Sequence, residues 1–202
     1  MSDQNYTAKN IALIILAAGK SSRLGSPKQL LKYQGKNLLQ HSIDVALGSN
    51  AAPVLLVLGS ESGEIKKQLN KDRIILIENP DWESGMASSI RYGINKILTG
   101  FPEKEAVIIM VCDQPYVSSD LLNKLISAYQ TSGKNIIASR YDRILGTPAL
   151  FHKTMFAELT ALEGDRGAKI LFNKFSDEIA LVDFKDGGID IDTSEDYKNL
   201  AK

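Results

Sequence analysis

The chain has 202 residues, enough for one domain with a core of its own. Its 24 basic and 24 acidic residues cancel, so no broad field draws it to nucleic acid or to an acidic membrane surface. A single cysteine, Cys112, excludes an intramolecular disulfide, and no apolar run approaches the roughly 20 residues that span a bilayer. These features predict a cytoplasmic protein with no membrane and no nucleic-acid partner. Residues 1–9 carry no apolar signal core and read as a disordered tail.

Short apolar runs at 11–18, 53–58, 73–77, 106–112 and 135–139 read as strands. They are nearly continuous in apolar character, as strands covered on both faces should be. Between the first four of them, helical patterns occupy 38–47, 61–69 and 86–98, and a fourth fills 119–129. The third carries a stripe of Met86, Ile90, Ile94 and Ile97. The fourth follows a Ser118-Ser119 cap signal. This alternation predicts a parallel sheet with helices on both sides. After about residue 140 the rhythm breaks: 147–151 and 178–182 read as strands, 154–162, 167–174 and 194–201 as helices, with Ser194 as the cap of the last. We read this part as an addition to the sheet on the substrate side.

The stretch 13–28 is the most informative. An apolar run ends in Leu16, Ala17, Ala18 and Gly19, small residues that let backbone approach a ligand, and the loop after it delivers Lys20, Arg23 and Lys28. Backbone N–H groups and cations together suit a nucleoside triphosphate. The two familiar phosphate loops do not fit. Gly19-Lys20-Ser21 lacks the glycine that a P-loop needs five positions earlier, where Ile14 stands. Gly19 and Gly25 are six apart, which breaks the Gly-x-Gly-x-x-Gly of a dinucleotide fold.

Ligands of open α/β sheets sit at the carboxyl ends of the strands. That rule gathers 17–28, Gly59, 79–89 and 113–115 on one rim. Asp113, following a buried strand, is placed to hold Mg²⁺, which takes one or two carboxylates plus substrate phosphates. Asp190-Ile191-Asp192 is a second acidic pair. If extended, it puts both carboxylates on one face with Ile191 buried opposite. Between 79 and 89, Gly85 and the hydroxyls of Ser84, Ser88 and Ser89 are candidates for contact with a base or ribose, with Trp82 as a wall or a packing anchor. Arg166, Lys169 and Arg140 are candidate partners for an anion on the second substrate. Cys112 reads as a small buried thiol, and two isolated histidines, His41 and His152, do not make a zinc site.

Taken together, these motifs resemble the molybdenum cofactor cytidylyltransferases, members of the nucleotidyltransferase superfamily with an NTP transferase domain. The resemblance rests on Leu16-Ala17-Ala18-Gly19, Ser22-Arg23-Leu24-Gly25, Pro27-Lys28-Gln29-Leu30-Leu31, Asn79-Pro80-Asp81-Trp82 with Gly85-Met86, and Asp113-Gln114-Pro115. It continues through Gly146-x-Pro148-Ala149, Gly164-Asp165-x-Gly167-Ala168 and Asp190-Ile191-Asp192. These motifs, in the family's order, cover about residues 11–200. Two departures are modest: Leu24 where the family usually has Met, and Thr147 where Val is common.

The resemblance implies a three-layer α/β/α Rossmann-like fold over residues 10–202, mostly parallel, with a small β addition on the acceptor side. It implies transfer of CMP from CTP to the phosphate of molybdopterin, with release of pyrophosphate, Mg²⁺ as cofactor, and a molybdenum hydroxylase as the recipient of the product. Carried over by position, Leu16, Ala17, Ala18 and Gly19 hold base and ribose, with Gly59 on the same rim. Arg23 and Lys28 bind the triphosphate, Gly85 and Ser89 touch the nucleotide, and Asp113 and Asp190 hold the metal, with Asp192 as the fallback. Catalysis is expected from Lys28, Arg23 and Asp113. Alternatives are guanylyl transfer to molybdopterin, nucleotidyl transfer to a sugar or alditol phosphate, and a non-catalytic carrier of the cofactor. Guanylyl-transferring relatives commonly carry Gly-Gly at Ala17-Ala18-Gly19 and Asn-x-Asn at Asp190-Ile191-Asp192, so both features lean towards cytidyl transfer.

Overall fold

A computed structural model describes residues 10–19, 24, 27–59 and 62–200. The expected tail at 1–9 lies outside the described residues, as do Lys20, Arg23 and Gly25 of the first loop.

At the centre lies β1 (Ile11–Ala17), seven residues buried without exception. To one side it pairs in parallel with β4 (Val54–Leu58), which pairs with β5 (Ile74–Glu78). To the other it pairs in parallel with β6 (Ala106–Val111). Then come β8 (Ile144–His152), β7 (Ile136–Tyr141) and β9 (Ile179–Asp183), giving the order β5-β4-β1-β6-β8-β7-β9. Four of the six neighbour pairs are parallel, and both antiparallel pairs involve β8. The sheet is therefore mostly parallel, as expected.

Alternation along β1 divides the core in two. Leu13, Ile15 and Ala17 face α1 (Leu38–Leu47), α2 (Ser62–Lys67) and α4 (Ser119–Ser132). Ala12, Ile14 and Leu16 face α3 (Met86–Gly100), α5 (Phe156–Thr160) and α6 (Ile170–Lys174). Each fully buried Leu or Ile contributes about 2 kcal/mol, so this two-sided burial outweighs the modest strand propensity of the alanines. Helix starts follow their caps: the Asn37 side chain accepts from Gln40 N, and Ser118, the expected cap, accepts from Leu121 N.

Several predicted elements differ in detail. A two-stranded hairpin of β2 (Lys32–Tyr33) and β3 (Lys36–Asn37) went unread, although Gln34 and Gly35 at positive φ make the tight turn between them. The strand expected at 147–151 begins earlier, at Ile144, and runs antiparallel because only two residues, Asp142 and Arg143, separate it from β7. The helices expected at 154–162 and 167–174 shrink to α5 and α6, the first preceded by a 3₁₀ turn at Lys153–Met155. The terminal α7 (Ser194–Leu200) is capped one residue early. Thr193 Oγ1 accepts from Asp196 N, and the Asp196 carboxylate reaches back to Thr193 N.

The chain leaves β1 towards β4 and leaves β6 towards β7, on opposite sides. The crevice between the carboxyl ends of β1 and β6 is therefore the topological switch point, where open α/β sheets bind ligands.

Candidate active site

A cavity of about 310 Å³ opens at that crevice. Leu16, Ala17, Ala18 and Gly19 form one wall and Val111, Cys112 and Asp113 another. Gly85, Met86 and Ser89 bring the start of α3 to it, and Trp82, Glu83, Lys28, Gln29 and Asp165 complete the lining. Of the described sequence candidates for nucleotide binding, Gly59, Ser84 and Ser88 stand back from the cavity. A Cβ at Gly59 would come within 2.5 Å of Trp82 Cβ and 2.7 Å of Ala18 O, so this glycine lets Trp82 pack down on the end of β1. Trp82 is thus both wall and anchor.

The first loop is held from inside. Gln29, almost fully buried, donates from Nε2 to the carbonyls of Ala17 (3.0 Å) and Gly19 (3.2 Å). Without those bonds, two carbonyls, one at the last residue of β1 and one just past it, would lose their side-chain donor at the cavity's edge. Sequence reading assigned Gln29 no part of its own; its position next to Lys28 in a short 3₁₀ turn is the only hint.

The wall opposite is set by Asn79. Its buried side chain donates to Ser88 Oγ (2.8 Å) and Ser89 Oγ (3.0 Å), while its Oδ1 accepts from Asp81 N (2.9 Å). Ser88 also donates to Gly85 O, so its hydroxyl serves the fold, whereas Ser89 lines the cavity. Ser84 bonds back to Asp81 O. Gly85 has φ 99, and a Cβ there would meet the carbonyl of Gly164 at 2.5 Å and Asp165 Oδ1 at 2.6 Å. Ala87 N completes the contact by donating to Gly164 O (3.1 Å). The glycine-rich loop at 164–167 is thereby docked on the start of α3, which brings Asp165 to the cavity; Arg166 is exposed.

The charged cluster lies at the cavity mouth. Lys28 Nζ contacts Asp113 Oδ2 at 2.5 Å and Asp192 Oδ1 at 3.0 Å. Burial, the largest single influence, pulls the Lys28 ammonium towards neutrality, but its neighbours together, Asp113 foremost and Asp192 among them, outweigh it, and the group ends above the ordinary lysine range and charged. Asp113 Oδ1 is buried and has no hydrogen-bond partner among the described residues. Cys112, inert and buried behind them, is pushed up to about 12 by burial first and by Asp113 second.

Asp190 and Asp192 do not lie on a strand, but the expected facing holds: both are exposed and Ile191 between them is buried. Ile191 N donates to Asp113 O at 3.0 Å, which pins this loop to the end of β6. Partial burial, then the Asp113 carboxylate, raises Asp190 to about 6; Asp192 adds to the rise, while Lys169 and Lys28 oppose it. Lys169 is thus near Asp190. Arg140 is instead paired with Asp183 across β7 and β9.

This donor set suits a hard divalent cation. Its oxygens are carboxylates, one is buried with no hydrogen-bond partner among the described residues, and the Asp190 carboxyl is raised to about 6 by burial first and by its negative neighbours second, a repulsion that a cation would offset. No group of three acidic, His or Cys side chains forms a ready-made cage among the described residues. No helix among the described residues is long and apolar enough to cross a membrane.

Residues 13–179 match the MobA-like NTP transferase domain. The purine catabolism protein PucB of Bacillus subtilis is 30% identical over 94% of this chain and 95% of its own length. The nicotine blue oxidoreductase of Paenarthrobacter nicotinovorans is 28% identical over 93% and 94%, and the molybdenum cofactor cytidylyltransferase of Escherichia coli is 27% identical over 93% of both. The crystal structure of Rv0371c from Mycobacterium tuberculosis superposes with TM-score 0.82 at 31% identity, covering 96% of this chain and 98% of that one. A manganese complex of Rv0371c superposes with TM-score 0.77 at 27% identity, over 94% and 97%. With its strand order, its crevice and its lysine–carboxylate cluster, the chain belongs to the MobA-like NTP transferase family and is an enzyme of the nucleotidyltransferase class.

Proposed function

We propose that the chain transfers CMP from CTP to the terminal phosphate of molybdopterin and releases pyrophosphate. The observation that carries this reading is the Lys28–Asp113 pair at the mouth of a cavity walled by Leu16 to Gly19. Where guanylyl-transferring relatives commonly carry Gly-Gly, this chain lines the cavity with Ala17-Ala18-Gly19, which supports a one-ring base. The cytidylyltransferase relative from Escherichia coli supports the same substrate. The other relatives bear different names, so the acceptor is the part of the reading that most needs experiment.

The acceptor phosphate oxygen attacks the α-phosphorus in line. The bond from that phosphorus to the bridging oxygen breaks, and the electron pair leaves with pyrophosphate. No covalent enzyme intermediate is required, so the protein's work is positioning and charge stabilisation. Leu16 to Gly19, Gly85 and Ser89 seat the nucleoside. Lys28, with Arg23 from the first loop, neutralises the leaving pyrophosphate, and Lys28 is held charged for this by Asp113. Asp113 and Asp190 would hold Mg²⁺, which when bound supplies positive charge shared among phosphate oxygens. Asp192 keeps Lys28 oriented. Lys169, beside Asp190, and Arg166 recognise the acceptor phosphate. The product would pass to a molybdenum hydroxylase in the cytoplasm, and residues 10–202 act as one unit.

The test is pyrophosphate release from CTP, GTP, UTP and ATP in turn, with Mg²⁺ and molybdopterin. Release with CTP alone is the expected result. Release with GTP alone selects guanylyl transfer, release only with a sugar or alditol phosphate as acceptor selects that class, and cofactor binding without release selects a carrier. Arg166→Ala is expected to raise the KM for the acceptor more than that for the nucleotide.

A further inference from the structure

We infer that Gln114 is a positioning residue that holds the Asp190 loop against the end of β6 and so sets the spacing of the two carboxylates. The inference rests on the reading of Asp113 and Asp190 as the pair that binds a divalent cation.

Asp190 has no ladder to hold it. It sits after β9 on a loop that returns to the cavity mouth, and its position depends on what ties that loop down. Two ties reach it from consecutive residues. Asp113 O accepts from Ile191 N at 3.0 Å, one residue beyond Asp190. Gln114 Nε2 donates to Gly187 O at 2.8 Å, three residues before it. The same amide reaches the other way, its Oε1 accepting from Thr147 Oγ1 at 3.2 Å on β8. Gln114 is 97% buried. Its amide orientation is fixed by chemistry: a carbonyl only accepts, so the nitrogen must face Gly187, and the oxygen then takes the Thr147 hydroxyl proton.

The carboxylate loop is thus bracketed by the backbone of residue 113 and the side chain of residue 114. One of those residues is itself the other carboxylate. Ile189 N donates to Asp186 O (3.2 Å), which closes the chain across Gly187 into a turn, so a displacement of the 187 end is passed on to Asp190 next to it. Bonds of this outer kind commonly govern metal affinity as strongly as they govern stability.

The experiment measures Mn²⁺ binding to the nucleotide-free protein by the loss of free-ion paramagnetic resonance, alongside hydrogen exchange of residues 185–192 and thermal melting. Gln114→Met keeps the volume and removes both bonds. It is expected to weaken Mn²⁺ binding on the order of 10- to 100-fold and to speed exchange in 185–192, with the KM for CTP at saturating metal changed less than the metal constant. Thr147→Val removes one bond and is expected to give a smaller loss in the same direction, and Thr147→Ser restores wild-type binding. Gln114→Glu, nearly the same shape but unable to donate when ionised, serves if the Met variant does not fold, and is expected to lose binding equally. Wild-type Mn²⁺ affinity in folded Gln114→Met or Gln114→Glu, with only the melting temperature lowered, overturns the inference. If wild-type protein binds no Mn²⁺ and Asp190→Asn changes nothing, the metal reading itself falls. If Asp190→Asn weakens binding and Gln114→Met does not, only the positioning role falls.

Discussion

Asp113 stands two residues past the registered end of β6, a strand paired on both sides, and its carboxylate is met by a lysine from another loop. Asp190 hangs on irregular chain after β9, held by one backbone bond and one side-chain amide. The first carboxylate is placed by the sheet, at the cost of burying an oxygen with no described partner. The second is placed by a few hydrogen bonds and stays solvent-exposed, with a pKa raised to about 6. A rigid anion beside a looser one of raised pKa is a suitable arrangement for a cation that is bound and released in each turnover.

The largest effects should come from the rigid side. Asp113→Ala and Lys28→Ala are each expected to lower turnover on the order of 100-fold or more, the scale of removing one preorganised charge partner. Steady-state pyrophosphate release measures this, and wild-type rates in both variants would remove the cluster from the chemistry. On the loose side, Asp190→Asn should raise the concentration of Mg²⁺ needed for half-maximal rate at least tenfold while leaving turnover at saturating metal closer to wild type.

The raised pKa of Asp190 gives the comparison a pH dependence. In the folded, metal-free protein this carboxyl holds its proton to about 6, above the ordinary value of 3.8. Between those two pH values the native state binds more protons than the unfolded chain, so stability falls as pH rises through the window. Asp190→Asn removes that loss and should melt slightly higher than wild type at pH 7, by about 1 kcal/mol or less because the group is solvent-screened. Cation affinity runs the opposite way: in wild type it should weaken below about pH 6, as protons compete for Asp190. A metal-binding curve flat from pH 5 to 8 would remove Asp190 from the ligand set.

On the wall of the cavity, Asn79→Ala strips a buried hub that serves Ser88, Ser89 and Asp81 N. Leaving such groups unsatisfied costs about 1–3 kcal/mol, read as a lowered denaturation midpoint, with the KM for CTP raised through Ser89.

What the sequence discloses follows the same division. β1, β4 and β6 are continuous apolar runs covered on both faces, a pattern with few other meanings, and Asp113 is found by counting to the end of one. The loops at 164–167 and 184–192 have no period to read. Gly164 is fixed by Gly85 some eighty residues away, and the Asp190 loop by Gln114, contacts that exist only after the sheet has formed. Gln29 and Gln114 escape notice for the same reason: a buried amide looks like any polar residue until its two partners are in place. The antiparallel β8 is a local matter by contrast, and the short 142–143 link was readable from turn length.

The smallest expected effect separates Asp113 from Asp192 as partners of Lys28. Asp113 and Asp192 both touch its ammonium, yet Asp113 lies in the buried wall, while the Asp192 side chain is 47% exposed. An exposed pair contributes about 0–1 kcal/mol. Asp192→Ala should therefore lower stability within that range and turnover by a few-fold at most, because Asp113, the stronger of these two influences on Lys28, remains beside it. Raised salt should erase the remaining difference from wild type, since screening acts on the exposed pair far more than on the buried one. A loss comparable to Asp113→Ala that persists in high salt would instead make Asp192 a direct ligand of the cation, and would shift the second half of the metal site from Asp190 to the next carboxylate along the loop.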